Sequence, residues 1–182
     1  MKRAWIFILI VAMVAALFSG CILAPEEKYE GTNIVLSDNG ITVDGVAAST
    51  DSTQAVYIAN DIVYYEAGHD FTYGEGTEAD AHSAEEAAAH TVVHITKPGQ
   101  YILSGKLSKG QIAVDLGEKA HENPSAKVNL VLMNAAITCT VAPAIIFYNV
   151  YECGSKLETL ARADVNTAKA GANIILPNGT RS

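Results

Sequence analysis

Residues 91–115, TVVHITKPGQYILSGKLSKGQIAVD, decide the fold class of this chain. Short runs rich in Val, Ile, Leu and Tyr alternate in this stretch with turn signals at Pro98-Gly99, Gly105 and Lys109-Gly110. Short strands bounded by Gly and Pro are typical of all-β domains, and no helical period crosses the stretch. The sequence therefore predicts an all-β domain, with strands here at 91–95, 101–103 and 111–115.

The same composition extends in both directions along the chain. Asn39-Gly40 separates two short β-branched segments and favours a tight turn. Numerous short strands of this kind fit a sandwich, a barrel or a β-solenoid. Sparse hairpin signals in the second half favour the solenoid, and so do Asn129, Asn134 and Asn149, whose amides could stack between coils. Further strands are predicted at 33–36, 41–43, 55–59, 62–65, 128–132, 144–148 and 172–176.

One short helix interrupts the strands. Ser83-Ala84-Glu85-Glu86 has the spacing of a capping box, in which Ser83 and Glu86 satisfy each other's backbone amides. We predict a helix near residues 84–90. Because so short a helix is marginal alone, it is expected to pack against the end of the strands.

The N-terminus has the features of an export signal. Lys2 and Arg3 precede an apolar run over residues 4–17, which is shorter than the ~20 residues that span a bilayer. Ser19-Gly20-Cys21 resembles a bacterial lipobox, with Cys21 as the lipidated residue. We expect a signal peptide over 1–20, a tether over 21–32, and a protein anchored to the outer face of the cell membrane. An uncleaved membrane anchor is the alternative.

Length, charge and cysteine content limit the number of domains and the classes of protein that fit this sequence. The 182 residues suit one domain, assigned here to 33–182. Twelve Lys and Arg against twenty Asp and Glu give a net charge of −8, which has the wrong sign for nucleic-acid binding. Three cysteines are too few for a disulfide scaffold, and whether Cys139 and Cys153 pair is left open.

Residues 95–105 and 110–115 resemble a bacterial carbohydrate-binding β-helix family typified by pectin-binding surface proteins. The resemblance continues over 128–134, 137–139 and 142–145. It implies a right-handed parallel β-helix that is exported and binds acidic plant polysaccharide, such as polygalacturonate, together with calcium. Members of the family are longer, so the domain is expected to be incomplete at its C-terminus.

Four aromatic residues are the predicted carbohydrate-binding residues: Tyr64, Tyr65, Phe71 and Tyr73. They lie close together among acids and glycines, a mixture that exposes rings beside hydrogen-bonding groups. Sugar faces stack on such rings. The competing interpretation is that most of the four pack beneath the short helix.

Acidic residues dominate the same region. Between Tyr29 and Thr96 there are twelve acids and no Lys or Arg, so a polyuronate would be repelled unless a cation intervened. Calcium takes six to eight hard oxygen ligands. We predict a calcium site at Asp70, Glu75, Glu78 and Asp80, with a solvated acidic face as the alternative.

No catalytic residue is assigned, and the chain is predicted to be a binding protein. A polysaccharide lyase, with Arg162 as the base, and a purely structural or adhesive module are the alternatives. His90 and His94 have the zinc-pair spacing of a helix, but residues four apart on a strand are about 13 Å from each other. A zinc site is therefore not expected.

Overall fold

The structure is a computed structural model that describes residues 28–67, 78–152 and 169–180. Its strands are β1 (Thr32–Leu36), β2 (Thr42–Val43), β3 (Val46–Ala47), β4 (Val56–Ala59), β5 (Thr91–Ile95), β6 (Gly99–Leu107), β7 (Gly110–Asp115), β8 (Val128–Ile137), β9 (Ile145–Asn149) and β10 (Ala172–Ile175). The helix α1 spans Ala84–Ala88, and 3₁₀ turns occupy Glu78–Asp80 and Ala120–Glu122.

The strands form two sheets. Sheet A has the order β10-β8-β6-β1-β2-β3, and sheet B has the order β4-β5-β7-β9. Both sheets are mixed: β1, β6, β8 and β10 pair in parallel, as do β5, β7 and β9, whereas β2, β3 and β4 join by antiparallel pairing. From β5 onward, successive strands belong alternately to sheet B and to sheet A.

The predicted right-handed parallel β-helix is wrong. Two mixed sheets packed in a sandwich-like arrangement replace the closed solenoid, with antiparallel strands at the β3 and β4 edges. The reason lies in the pattern itself, because short strands with frequent turns are common to sandwiches, barrels and solenoids and do not encode the direction of pairing. Residues 62–65 are described by the structure but do not form the predicted strand.

The predictions of local structure were more accurate than the prediction of the fold class. Helix α1 forms with the predicted capping box: Ser83 accepts from the Glu86 amide, and the Glu86 carboxylate accepts from the Ser83 amide at 2.9 Å. The Asn39-Gly40 turn joins β1 to β2, with Ile34 opposite Val43. Of the asparagines predicted to form a ladder, Asn129 accepts from Asn173 Nδ2 at 3.1 Å, whereas Asn149 Nδ2 donates to Asp115.

The main core lies between the sheets. Alternate residues of each strand point inward, since successive side chains of a strand face opposite sides. Sheet A contributes residues such as Leu103 and Leu130, and sheet B contributes residues such as Val93 and Ile112, all with no exposed surface.

A second, smaller cluster covers half of the outer face of sheet B. Ala87 of α1 and the loop residues Ile62 and Val141 pack there against Val92 and Ala113. We call this the covered half. On the rest of this face the strand residues are not covered by the cluster and reach solvent. We call this part the open half, and the candidate site lies there.

Candidate functional site

An open cleft of about 410 Å³ lies on the open half of the outer face of sheet B. Its strand residues are Tyr57, His94, Asp115 and Tyr148. Its loop residues are Thr96, Lys97, Leu116 and Gly117. This volume falls within the range of about 300–1,000 Å³ found for small-molecule sites. We call this set of residues the outer cleft.

Two stacked rings form one wall of the outer cleft. Tyr57 of β4 and His94 of β5 are direct antiparallel partners, and their ring centroids lie 4.4 Å apart with planes 6° from parallel. His94 Nε2 lies 2.7 Å from Asp61 Oδ1. The stack and the carboxylate contact together fix the orientation of both rings, because each ring limits the rotation of the other.

The phenol of Tyr57 is held in its protonated form. Burial raises its pKa above the usual tyrosine value, and the negative charges of Asp61 and Asp115 raise the pKa further. Both effects disfavour the phenolate. At neutral pH Tyr57 is therefore a hydroxyl that can donate or accept a hydrogen bond, and a poor base.

A β-bulge presents Tyr148 on the opposite side of the outer cleft. Val114 pairs with Phe147 and Asp115 pairs with Asn149, so Tyr148 is the extra residue on β9. Bulges turn a side chain away from the regular alternation of a strand. The side chain of Tyr148 is 41% exposed, whereas Phe147 packs against the main core.

Hydrogen bonds hold Asp115 in place. Its Oδ1 accepts from the Gly117 amide and from Asn149 Nδ2, both at 2.9 Å. No hydrogen bond to Asp115 Oδ2 comes from the part of the chain that the structure describes. Asp115 thus has one oxygen committed to the fold and one available to a ligand.

The backbone around Lys97 is also fixed. Tyr101 donates its hydroxyl to the Lys97 carbonyl at 2.8 Å, and Thr96 Oγ1 donates to the Gln54 carbonyl at 2.9 Å. Among the described carboxylates, none lies within ion-pair distance of the Lys97 ammonium. The outer cleft therefore combines an aromatic surface, a carboxylate, a hydroxyl and an ammonium group on a rigid support.

The two predicted aromatic residues that the structure describes, Tyr64 and Tyr65, lie outside the outer cleft. Tyr65 is 3% exposed, and Tyr64 is half-buried against the small cluster of the covered half. Phe71 and Tyr73 lie outside the described residues. Neither Tyr64 nor Tyr65 lines the outer cleft, and the role of all four residues in carbohydrate binding stays a prediction.

The predicted calcium ligands are only partly within the described chain. Glu78 and Asp80 lie in the first 3₁₀ turn, while Asp70 and Glu75 are outside the described residues. Within the described ranges, no group of three or more His, Cys, Asp or Glu side chains is arranged to hold a metal ion. Two carboxylates fall short of the six to eight oxygens that calcium takes, so calcium stays a prediction.

The cysteine, arginine and anchor predictions also stay open. Cys139 is a half-buried free thiol, and Cys21, Cys153 and Arg162 lie outside the described residues. No helix within 28–67, 78–152 and 169–180 is long and apolar enough to cross a membrane.

Four strand residues of the outer cleft were not among the site residues predicted from the sequence: Tyr57, His94, Asp115 and Tyr148. The alternating pattern of β4 and β5 could have identified Tyr57 and His94 as outward-facing residues. Their neighbours along these strands face the core: Val56, Ile58, Val93 and Ile95. Tyr148 depends on the bulge in β9, for which the sequence carries no marker.

One comparison with known proteins gives a match. Residues 89–175 match the model of a family described as "Carbohydrate-binding domain-containing protein". No curated protein and no solved structure matches the chain. The matched segment runs from the end of α1 to the end of β10, and it supports a carbohydrate-binding role for this chain.

Proposed function

We propose that this chain is a non-catalytic carbohydrate-binding protein and that the outer cleft is its binding site. One observation carries the proposal: among the described residues that line the outer cleft, all but Tyr57 lie within the matched segment 89–175. The cleft also combines aromatic side chains with a few fixed polar groups, as small-molecule sites do.

The chemistry of the outer cleft suits a sugar. The exposed ring of Tyr148 offers a flat apolar surface for the C–H face of a pyranose. Asp115 Oδ2 can accept from sugar hydroxyls, and Lys97 can donate to them. Because the Asp115 carboxylate is held by the fold, little ordering entropy opposes its contact with a sugar.

The same groups argue against a lyase. β-Elimination needs a base beside the uronate, and the raised pKa of Tyr57 makes its phenol unsuited to that role. Arg162, the base considered from the sequence, lies outside the described residues. The match to a carbohydrate-binding family favours binding without bond cleavage.

We extend the proposal to a lipoprotein anchored through Cys21 that binds acidic polysaccharide with calcium. The basic residues Lys2 and Arg3 before the apolar run support export, and Lys97 places a cation in the cleft of a chain with net charge −8. Metabolic labelling with a palmitate analogue should mark the wild type and not Cys21→Ser. Label retained on that variant would exclude lipidation at this residue.

Affinity gel electrophoresis tests the binding proposal. We would cast gels with polygalacturonate, cellulose or xylan, each with calcium and with chelator. Tyr148→Ala should weaken retardation by the retained polysaccharide by about tenfold, because stacking on the ring is lost. Tyr29→Ala, at a half-buried tyrosine before β1, is the matched control and should bind as the wild type does.

A second aromatic variant, Tyr73→Ala, distinguishes a binding site in the outer cleft from one at the aromatic residues predicted from the sequence. If Tyr73→Ala weakens binding and Tyr148→Ala does not, the site lies at the aromatic residues predicted from the sequence and the outer cleft is excluded. Retardation that survives chelator would exclude a calcium bridge. Unsaturated uronides released from polygalacturonate would show that the protein is a lyase.

A further inference from the structure

A second depression lies directly beside the outer cleft. It has a volume of about 440 Å³ and is lined by Leu116, Gly117, Glu118, Lys119, Ala120 and Asn123. Leu116 and Gly117 line both depressions. We call the second one the loop depression, because it is built from the loop that follows β7.

Gly117 leaves the passage between the two depressions open. A Cβ at Gly117 would meet no heavy atom of the described residues within 4 Å, apart from its chain neighbours, so the space above its backbone is open. The residue has φ +91°, which glycine adopts without strain. A side chain at this position would stand at the boundary between the outer cleft and the loop depression.

The loop that forms the depression is anchored at several points. The Gly117 amide donates to Asp115, and the Ala120 amide donates to the Gly117 carbonyl at 2.8 Å. Ala120 is buried, and Asn123 Oδ1 accepts from the Ser125 amide at 3.0 Å. The loop therefore presents a formed surface.

Exposed polar side chains line this surface. Glu118, Lys119 and Asn123 are all exposed, so an acceptor, an ammonium donor and an amide face solvent along one short loop. These groups can bond to the ring hydroxyls of a sugar, and the whole loop lies within the segment 89–175 that matches the carbohydrate-binding family.

We propose that the outer cleft and the loop depression form one continuous groove, and that its ligand is an internal segment of a linear oligosaccharide that crosses Gly117. This inference rests on the proposed function, since it takes the outer cleft as the first subsite. It adds a second subsite and predicts that affinity depends on chain length.

Calorimetric titration with oligosaccharides tests the groove. The probes are oligogalacturonides, cello-oligosaccharides and xylo-oligosaccharides, each from the monosaccharide to the hexasaccharide. Affinity of the wild type should rise with length until both subsites are filled. Gly117→Asn should reduce the affinity for the longest bound probe by about tenfold, and should reduce the affinity for the shortest bound probe much less.

Asn is chosen because it tolerates positive φ better than other residues with a side chain. Gly45→Asn is the matched control: Gly45 has φ +80°, also has open space above it, and lies in the β2–β3 turn of sheet A. Lys119→Ala is a second test of the loop depression, and it does not require a side chain at a position with positive φ. It should also weaken only the longer probes, whereas Tyr148→Ala should weaken all of them.

The outcomes separate this inference from the function on which it rests. Binding that depends on Tyr148 but is the same at every chain length overturns the groove and leaves the proposed function standing. Equal losses for short and long probes in Gly117→Asn and Lys119→Ala also overturn it. Failure of every probe to bind the wild type overturns both.

Discussion

The two halves of the outer face of sheet B contain the same residue type four positions apart, in opposite environments. His90 precedes β5 on the covered half and is 1% exposed. Its Nδ1 lies 2.8 Å from the Glu86 carbonyl, and its Nε2 accepts from the Thr140 amide at 3.3 Å. His94 lies within β5 on the open half, with a side chain that is 16% exposed and pairs with Asp61.

The two histidines differ in the kind of group that they contact. The hydrogen-bonding groups of His90 are used by the backbone of α1 and of the loop at Thr140, so His90 joins two segments that cover the sheet. His94 contacts two side chains, Tyr57 and Asp61, at the rim of the outer cleft. In our proposal, the covered half provides stability and the open half provides the binding groups.

The largest effect is expected at His90. In His90→Ala the Thr140 amide loses its acceptor and a cavity forms between α1 and the loop. Unsatisfied buried groups and cavities each cost on the order of 1–3 kcal/mol, so we expect a loss of about 3 kcal/mol in the free energy of unfolding. Urea denaturation followed by circular dichroism measures it, with the affinity of the folded fraction unchanged.

His121→Ala is the control for His90. His121 is also bonded to a backbone carbonyl, that of Glu118 at 2.7 Å, but its side chain is 45% exposed. Surface substitutions usually change stability by less than about 0.5 kcal/mol. If the two variants are equally stable, the buried histidine does not hold the covered half together.

A smaller effect is expected at the start of α1. Ser83→Ala removes the N-cap, which costs about 1 kcal/mol in typical helices. Hydrogen bonds from the Ser83 amide and hydroxyl hold the pKa of Glu86 below its ordinary value of 4.5. The stabilisation from these bonds is therefore complete above pH 4.5 and is lost as the pH falls through the lowered pKa.

The pH dependence distinguishes this cap from a general loss of helix propensity. The difference in unfolding free energy between the wild type and Ser83→Ala should be largest at neutral pH and should shrink below pH 4.5, as Glu86 becomes protonated. Denaturation curves measured across this range would test it. A difference that is constant with pH would mean that Glu86 takes no part in the cap.

Local sequence signals determined much of this architecture. Turn residues and β-branched runs located most of the strands, and Ser83 with Glu86 located the helix. The assembly of strands into sheets could not be read in the same way. Whether β4 joins β5 in parallel or antiparallel depends on the path of residues 60–90, and strand composition is the same in both cases.

The candidate site was harder to predict for a related reason. Tyr57, His94 and Asp61 meet only because β4 pairs with β5, and Tyr148 reaches the cleft only because β9 bulges. Prediction from local composition favoured Tyr64 and Tyr65, which are close in sequence to acids and glycines. Their neighbours in the fold are instead on the covered side, where α1 and Ile62 lie.

The smallest change in stability, and the sharpest contrast with His90, is expected at His94. His94→Ala removes the ring stacked on Tyr57 and the contact with exposed Asp61. Cross-strand pairs and exposed ion pairs each contribute less than about 1 kcal/mol, so the free energy of unfolding should fall by about 0.7 kcal/mol. Affinity for the retained polysaccharide should fall about threefold, because Tyr57 loses the ring that orients it. His94→Phe keeps the stack without the Asp61 contact and should restore the affinity. If His94→Ala proves as destabilising as His90→Ala, or if His94→Phe binds no better than His94→Ala, the division of the sheet into a stabilising half and a binding half is wrong.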